Sequence, residues 1–293
     1  MKKNVIFYNA YHKGDLHYSR QFMKDIQKKL SGRYENFFYS DNYPDDNIYF
    51  DLVDFKRVPF ENMPDENSQV TYDEKNVYIN TWVGQGGFKY VVDLLCCLKS
   101  YHNMYKDIYA TLGIQIRRID TYIPTIDYTM LDQQHTVNIL NFNSQQKLTN
   151  VKKKILICNG DVLSKQSENF KFEYIVNILA FMNLNCTFIC TSKSFLPKTD
   201  NIVFCEDIIK KDGGDLNEIS FLSTFCDIIV GRASGSYAFT HVKENIGNKD
   251  IDYVSFCRSE YEGVWYQGKA SNSWSDKYTI NNIVDMINLK IND

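Results

Sequence analysis

The sequence predicts an α/β fold built from two doubly wound parallel-sheet domains in tandem. Three observations carry that prediction. From residue 152 onward, short apolar runs alternate with helical patterns, the signature of parallel βαβ units. A similar start occurs at residue 4. Between the two, residues 120–150 show no long periodicity, which predicts a first domain of residues 1–148 and a second of 149–293. With 293 residues, 44% of them apolar, the chain has material for two cores.

Each element follows from local pattern. Val5-Ile6-Phe7-Tyr8 reads as a strand, and a helix follows to Leu30, with Phe22, Ile26 and Leu30 four apart and Ser31-Gly32 closing it. Residues 35–40 read as a second strand. Residues 41–76 hold three of the five prolines and read as loops with short strands. Val77-Tyr78-Ile79-Asn80 is a third strand. Val91, Leu94, Leu95, Leu98, Tyr101, Tyr105, Ile108 and Leu112 make one helical stripe, with Gly113 as C-cap. In the second half, strands are expected at 155–158, 186–190, 202–204, 227–230 and 252–257. Helices are expected at about 170–182, 217–225, from Ser234, and 277–291.

Composition excludes several classes. Thirty-three Lys and Arg against 36 Asp and Glu leave a formal charge of −3, which argues against a broadly basic nucleic-acid binder. None of the eight cysteines forms a CxxC pair or has zinc-ligand spacing, and Cys96, Cys97, Cys158, Cys186, Cys190 and Cys226 lie in or beside apolar runs. The first residues carry no signal-like apolar stretch, and no run of 18 apolar residues occurs. The expectation is a reduced, cytoplasmic protein without a transmembrane segment, with room left for peripheral membrane contact. Aromatic residues reach 15%, with 21 Tyr. A tyrosine-rich chain can line a wet, sugar-friendly cleft, and general enrichment in Asn, Lys, Ile and Tyr is the plainer explanation.

In open α/β sheets ligands bind beyond the carboxyl ends of strands, so the residues after each strand are the candidates. Asn9-Ala10-Tyr11-His12-Lys13-Gly14-Asp15-Leu16-His17 follows the first strand; Asp15 is a candidate general base or a helix cap, and His12 and His17 are alternative bases. Thr81-Trp82-Val83-Gly84-Gln85-Gly86-Gly87 follows the third, where an indole beside a glycine turn suits stacking on a sugar or base. In the second half, Asn159-Gly160-Asp161 to Ser164-Lys165, Thr191-Ser192-Lys193 and Glu206-Asp207 each follow a strand. Lys165 and Lys193 suit a diphosphate, and Glu206 and Asp207 a ribose or base. The richest segment is Gly231-Arg232-Ala233-Ser234-Gly235-Ser236-Tyr237, where small residues let a phosphate approach backbone amides and Arg232 adds charge. It matches neither a Walker loop nor GxGxxG. Asp45-Asp46 and Asp51-x-x-Asp54 lie in acidic loop sequence and read as solvated.

The layout resembles the GT-B glycosyltransferases, which have two Rossmann-like domains facing each other across a cleft, and within them the heptosyltransferase-type branch. Gly14-Asp15 is similar to that branch's Gly-Asp pair after the first strand, whose Asp is the presumed base. Ser234-Gly235 matches part of its late Asp-Ser-Gly-Pro segment, while the Asp and Pro are missing. A second resemblance is to the α1,6- and peptide-O-fucosyltransferases, through Gln115-Ile116-Arg117-Arg118-Ile119-Asp120, where Gln115 replaces the family's His. The alternative there is a basic end to the long helix.

The first resemblance implies a metal-independent, inverting glycosyltransferase without a cofactor, acting in glycan biosynthesis. It would transfer a hexosyl or related group from a nucleotide-sugar donor to a hydroxyl of a glycan or other acceptor. Asp15 and His17 are the candidate catalytic residues; Tyr11, Gly14, Trp82 and Gln85 would meet the acceptor. Asn159, Gly160, Lys165, Thr191, Ser192, Glu206, Arg232, Ser234, Gly235 and Ser236 would meet the donor, and closure would hinge near residues 145–152. A non-catalytic nucleotide- or sugar-binding protein and a nucleotide-sugar epimerase are the alternatives. Sequence leaves open the donor, the acceptor, the linkage and the oligomeric state.

Overall fold

A computed structural model describes residues 3–43, 47–64, 68–85, 89–91, 98–142, 151–162, 167–193, 199–210, 215–257 and 268–293. The chain divides into two compact units, Met1–Met130 and Leu131–Asp293. The expected hinge lies largely outside the described residues, as do Cys96, Cys97, Gly86, Gly87, Asp45 and Asp46.

In the first unit β1 (Lys3–Asn9), α1 (Lys13–Leu30), β2 (Tyr34–Asp41), β3 (Lys56–Arg57), β4 (Val70–Tyr72), β5 (Asn76–Asn80) and α2 (Leu98–Thr111) form a sheet of order β3-β2-β1-β5-β4 with helices against it. All pairings are parallel except β4 with β5. β1 is central, so Val5, Ile6, Phe7 and Tyr8 are buried on both faces, which is why the strand reads as a continuous apolar run. α1 and α2 meet through rings: Phe22 stacks on Tyr105 at 4.0 Å and Tyr18 lies 4.9 Å from Tyr101. Much of the tyrosine surplus is therefore core. α2 ends as expected, with Gly113 at φ +66 and the Ile114 N–H donating to the Tyr109 carbonyl at 2.9 Å.

One sequence reading is overturned in this unit. Asp51 is not solvated: its carboxylate is buried, bonded to Arg20, and held by Lys24 at 2.8 Å. The segment before β3 folds back onto α1, and the buried Arg20 guanidinium needs that counter-charge. Asp54 is exposed as expected.

The second unit contains α3 (Gln134–Leu140), β6 (Lys154–Cys158), α4 (Phe172–Met182), β7 (Thr187–Cys190), β8 (Ile202–Phe204), α5 (Cys205–Ile209), α6 (Leu216–Ser223), β9 (Ile228–Arg232), α7 (Gly235–Ala238), α8 (Lys243–Ile246), β10 (Asp252–Phe256), β11 (Ser271–Ser275) and α9 (Ile280–Asn292). The sheet is parallel, in the order β11-β10-β9-β6-β7-β8. Counted from β6, that is the 3-2-1-4-5-6 order of a doubly wound nucleotide-binding sheet.

Alternation along β6 sends Ile155 and Ile157 to one core, under α4 and α9, and Leu156 and Cys158 to the other, with Ile139 of α3 and Leu222 of α6. α3 falls where the sequence reads as irregular, because seven residues with two buried positions carry too little periodicity. α5 and β11 are similarly short. α4 buries one face and leaves Phe181 80% exposed on the other. None of the helices among the described residues is long and apolar enough to cross a membrane.

His241 sits wholly inside this unit, its ring 4.7 Å from Tyr237 and 5.5 Å from Tyr253. Burial pushes its pKa down to about 3 from 6.5. The unfolded chain takes up this proton more readily than the folded one, so stability is lost as pH falls below about 6.5. Between pH 7.5 and pH 5 the loss is expected to be roughly 2 kcal/mol. Urea titrations of wild type and His241→Gln at the two pH values measure it; equal losses in both would remove His241 as the cause.

Candidate active site

Each sheet has a point where the chain leaves its first strand to one side and returns on the other, and there the strand ends open a crevice. In the first unit that point lies between β1 and β5. Asn9, fully buried, ends β1 and organises the turn. Its Oδ1 accepts from the Tyr11 N–H at 2.8 Å and the His12 N–H at 3.3 Å, and its Nδ2 donates to Thr81 Oγ1 at 3.2 Å. Tyr11 and Trp82, one from each strand end, lie with ring centroids 4.1 Å apart. Trp82 can fold over its own turn only because residue 84 is glycine, where a Cβ would stand 2.6 Å from the indole. Gln85 closes that turn, its N–H donating to the Trp82 carbonyl at 3.1 Å.

α1 begins beside this turn, with Gly14 and Asp15 in its first coil. Asp15 is 2% exposed; its Oδ1 accepts from the Tyr101 hydroxyl of α2, and its Oδ2 makes no hydrogen bond among the described residues. Burial pushes this carboxyl well above the usual carboxylate range, and the facing Asn9 side chain offsets part of the rise. His17 is fully buried, and residues two apart on a helix do not share a face, so it cannot act beside Asp15 on one group.

In the second unit the crevice lies between β6 and β9. Asn159 follows β6 directly, much as Asn9 ends β1: its Oδ1 accepts from Thr191 Oγ1 at 3.1 Å and the Ser192 N–H at 2.8 Å, and its Nδ2 donates to the Ser192 carbonyl at 3.0 Å. Across the crevice Gly160 faces Ser236, and a Cβ there would stand 3.6 Å from Ser236 Oγ, an ordinary contact distance. Ser234 caps α7, its Oγ accepting from the Tyr237 N–H and lying 3.3 Å from Ser236 Oγ. Glu206 Oε2 accepts from the Lys193 N–H at 2.9 Å, and Lys193 Nζ pairs with Asp207 at 2.8 Å. Among the described residues no group of three or more His, Cys, Asp or Glu side chains is arranged to hold a metal ion.

Arg232 is not on the turn. It is the last residue of β9, 1% exposed, with its guanidinium 5.0 Å from the Phe170 ring. Nε donates to the Gly160 carbonyl at 3.2 Å, Nη1 to the Phe170 carbonyl at 2.7 Å, and Nη2 to the Asn159 carbonyl and Asp161 Oδ1 at 3.1 and 3.0 Å. Its donors shape the β6 loop.

No protein-family model matches the chain, and no curated protein matches it. Solved structures do. The ADP-heptose lipopolysaccharide heptosyltransferase II of E. coli superposes with a TM-score of 0.57 at 13% identity, covering 99% of this chain and 98% of that one. A glycosyl transferase family 9 structure from Veillonella parvula gives 0.56 at 10%, over 98% of this chain and 89% of its own. The E. coli heptosyltransferase WaaC, solved with ADP-2-deoxy-2-fluoro heptose, gives 0.54 at 8%, over 98% and 99%. This chain has the GT-B fold of the heptosyltransferases.

Within the heptosyltransferase fold, the residues singled out in the sequence collect at two strand-end crevices. Tyr11, Gly14, Asp15, Trp82 and Gln85 lie at the first and Asn159, Gly160, Ser234, Gly235 and Ser236 at the second, with Arg232 buried behind it; Thr191 and Ser192 lie one strand along, at the end of β7, and Glu206 is farther off, after β8. Lys165 lies outside the described residues. Tyr237, which reads as a loop aromatic, is instead fully buried, with its hydroxyl on Ser255. Arg117 and Arg118 are exposed beyond the end of α2. Two neighbours of the first crevice escape sequence reasoning. Tyr101 sits 86 residues from Asp15 within a helix stripe. Tyr43 follows β2, its hydroxyl on the Tyr11 carbonyl and its ring under Lys13. No sequence signal marks either, because the partners are distant in the chain.

Proposed function

We propose that this chain is a glycosyltransferase that takes a sugar from a nucleotide-sugar donor to a hydroxyl acceptor, inverting the anomeric centre without a metal. The observation that carries it is the crevice between β6 and β9. There a side-chain-free Gly160 faces the Ser234–Ser236 turn at the switch point of a doubly wound sheet. α7 is only four residues long, so the donor diphosphate would rest on turn amides and the Ser236 hydroxyl rather than on a helix dipole. Arg232 would act indirectly, by holding the Asn159–Asp161 backbone against that turn.

The first unit would supply the acceptor surface, with Tyr11 and Trp82 as the stacking rings, and the base. In the reaction the acceptor oxygen bonds to the anomeric carbon as its proton passes to Asp15. The anomeric carbon–oxygen bond to the diphosphate breaks, and the leaving nucleoside diphosphate keeps the electron pair. A carboxyl whose pKa is raised by burial is better matched to this transfer near neutral pH than an exposed one.

Donor binding tests the reading first. A thermal-shift and mass-spectrometric panel of ADP-, UDP-, GDP- and CMP-sugars is expected to raise Tm with one nucleotide class. ADP-sugars come first, because a structural neighbour was solved with an ADP-heptose analogue. Ser234→Trp, which fills the crevice, is expected to weaken that binding by tenfold or more, about 1.4 kcal/mol or above. No response to any nucleotide would reject the donor site.

The closure of Asp15 under Tyr101 supports a second reading, in which the carboxylate serves only to join α1 to α2. On that reading Asp15→Asn lowers stability and leaves turnover intact.

A further inference from the structure

We propose that Tyr101 is a positioning residue for the Asp15 base: its buried hydroxyl occupies Oδ1 and so leaves Oδ2 as the oxygen that receives the acceptor's proton. The inference rests on the reading of Asp15 as base. Its geometry is independent of that reading: the Tyr101 hydroxyl donates to Oδ1, while Oδ2 is buried and makes no hydrogen bond among the described residues, with the Asn9 side chain facing the carboxyl. Tyr101 is itself fully buried, its ring 4.9 Å from Tyr18, so the phenol has little freedom to leave.

A carboxylate has two equivalent oxygens and a soft terminal torsion, and a base free to rotate presents neither at a fixed place. A hydrogen bond at one oxygen removes that freedom. It also favours the ionised form, opposing the burial that favours the neutral one. Among the described residues, the polar and titratable groups shown to act on Asp15 from the packed elements are Asn9 of β1 and Tyr101 and Tyr105 of α2. Tyr105 interacts with the same carboxylate through space, and its ring stacks on Phe22 at an interplanar angle of 4°. During transfer Tyr101 keeps its proton; Oδ2 gains the acceptor's proton and returns it to water when product leaves.

The test is Tyr101→Phe in the full chain, which keeps the ring and its packing and removes only the hydroxyl. Asp15 is titrated by 13C NMR of carboxyl-labelled aspartate, with Asp15→Asn assigning the resonance and Tyr105→Phe as the neighbouring-phenol control. Loss of the bond is expected to raise the Asp15 midpoint by about one pH unit, tenfold in proton affinity. The Tyr105→Phe midpoint should stay near wild type or fall. With the sugar nucleotide from the donor panel, the acid limb of kcat is expected to shift upward by the same amount, while KM for the donor stays within about twofold. An unmoved or lowered midpoint in Tyr101→Phe overturns the proposal. A raised midpoint together with full turnover by Asp15→Asn overturns the base assignment instead, so the two failures are distinguishable.

Discussion

Asp15→Asn is expected to abolish glycosyl transfer, lowering kcat by about 10²- to 10⁴-fold, and to leave nucleotide-sugar affinity within about twofold of wild type. The asymmetry follows from the division of the chain: Asp15 belongs to the first unit, and the crevice proposed for the donor belongs wholly to the second. Asparagine keeps the shape and still offers an oxygen to the Tyr101 hydroxyl, so the fold should survive. A buried carboxyl with a raised pKa stabilises the fold only where it is protonated. That contribution is fully present at low pH and is lost as pH rises through the raised folded pKa. At pH 8 the neutral amide is therefore expected to give a Tm equal to or above that of wild type. Calorimetry beside a mass-spectrometric transfer assay separates the readings. Lost activity with retained Tm marks a functional carboxylate, and the reverse marks a structural one.

Gly231→Ala is expected to destabilise the second unit by about 1–3 kcal/mol and to weaken donor binding with it. A Cβ at residue 231 would stand 2.3 Å from Cδ2 and 2.6 Å from Cγ of Tyr237. That ring cannot yield cheaply. It is fully buried, its hydroxyl is tied to Ser255, and its edges meet His241 at 4.7 Å and Tyr253 at 5.9 Å. Displacing it moves the Tyr237 N–H, which Ser234 Oγ accepts from, and hence the turn proposed for the diphosphate. Urea unfolding checks the stability loss. A double-mutant cycle checks the cause: in a Tyr237→Leu background, Gly231→Ala should cost markedly less, since the two residues are in direct contact. Equal cost in both backgrounds would locate the effect elsewhere.

The glycines show how far sequence could be read. Gly113 at a helix end was legible, because a glycine closing an apolar stripe has a local meaning, a positive φ. Gly231 has an ordinary backbone conformation, and its need for a missing Cβ comes from a ring six residues on that folds back against it. Gly84 is similar: its turn was visible, and the indole lying on it was not. Arg232 carries the same lesson for charge. A guanidinium beside a small-residue turn suggests anion binding, and burial instead directs it to backbone carbonyls of another loop, 62 to 73 residues away.

What the sequence determined by itself is the class of fold, the order of its longer strands and helices, and the loops on which polar residues gather. These follow from side-chain periodicity and from the rule that ligands meet strand ends in open sheets. Tertiary structure alone decided which of those residues are sealed into the scaffold and which stay at the strand ends. It closed Asp15 under Tyr101, put Tyr237 in the core, buried Asp51 against Arg20, and spent Arg232 on the β6 loop. The physical reason is range. Periodicity is set by neighbours a few residues away, whereas burial and hydrogen-bond partnership are set by groups scores of residues distant in the chain.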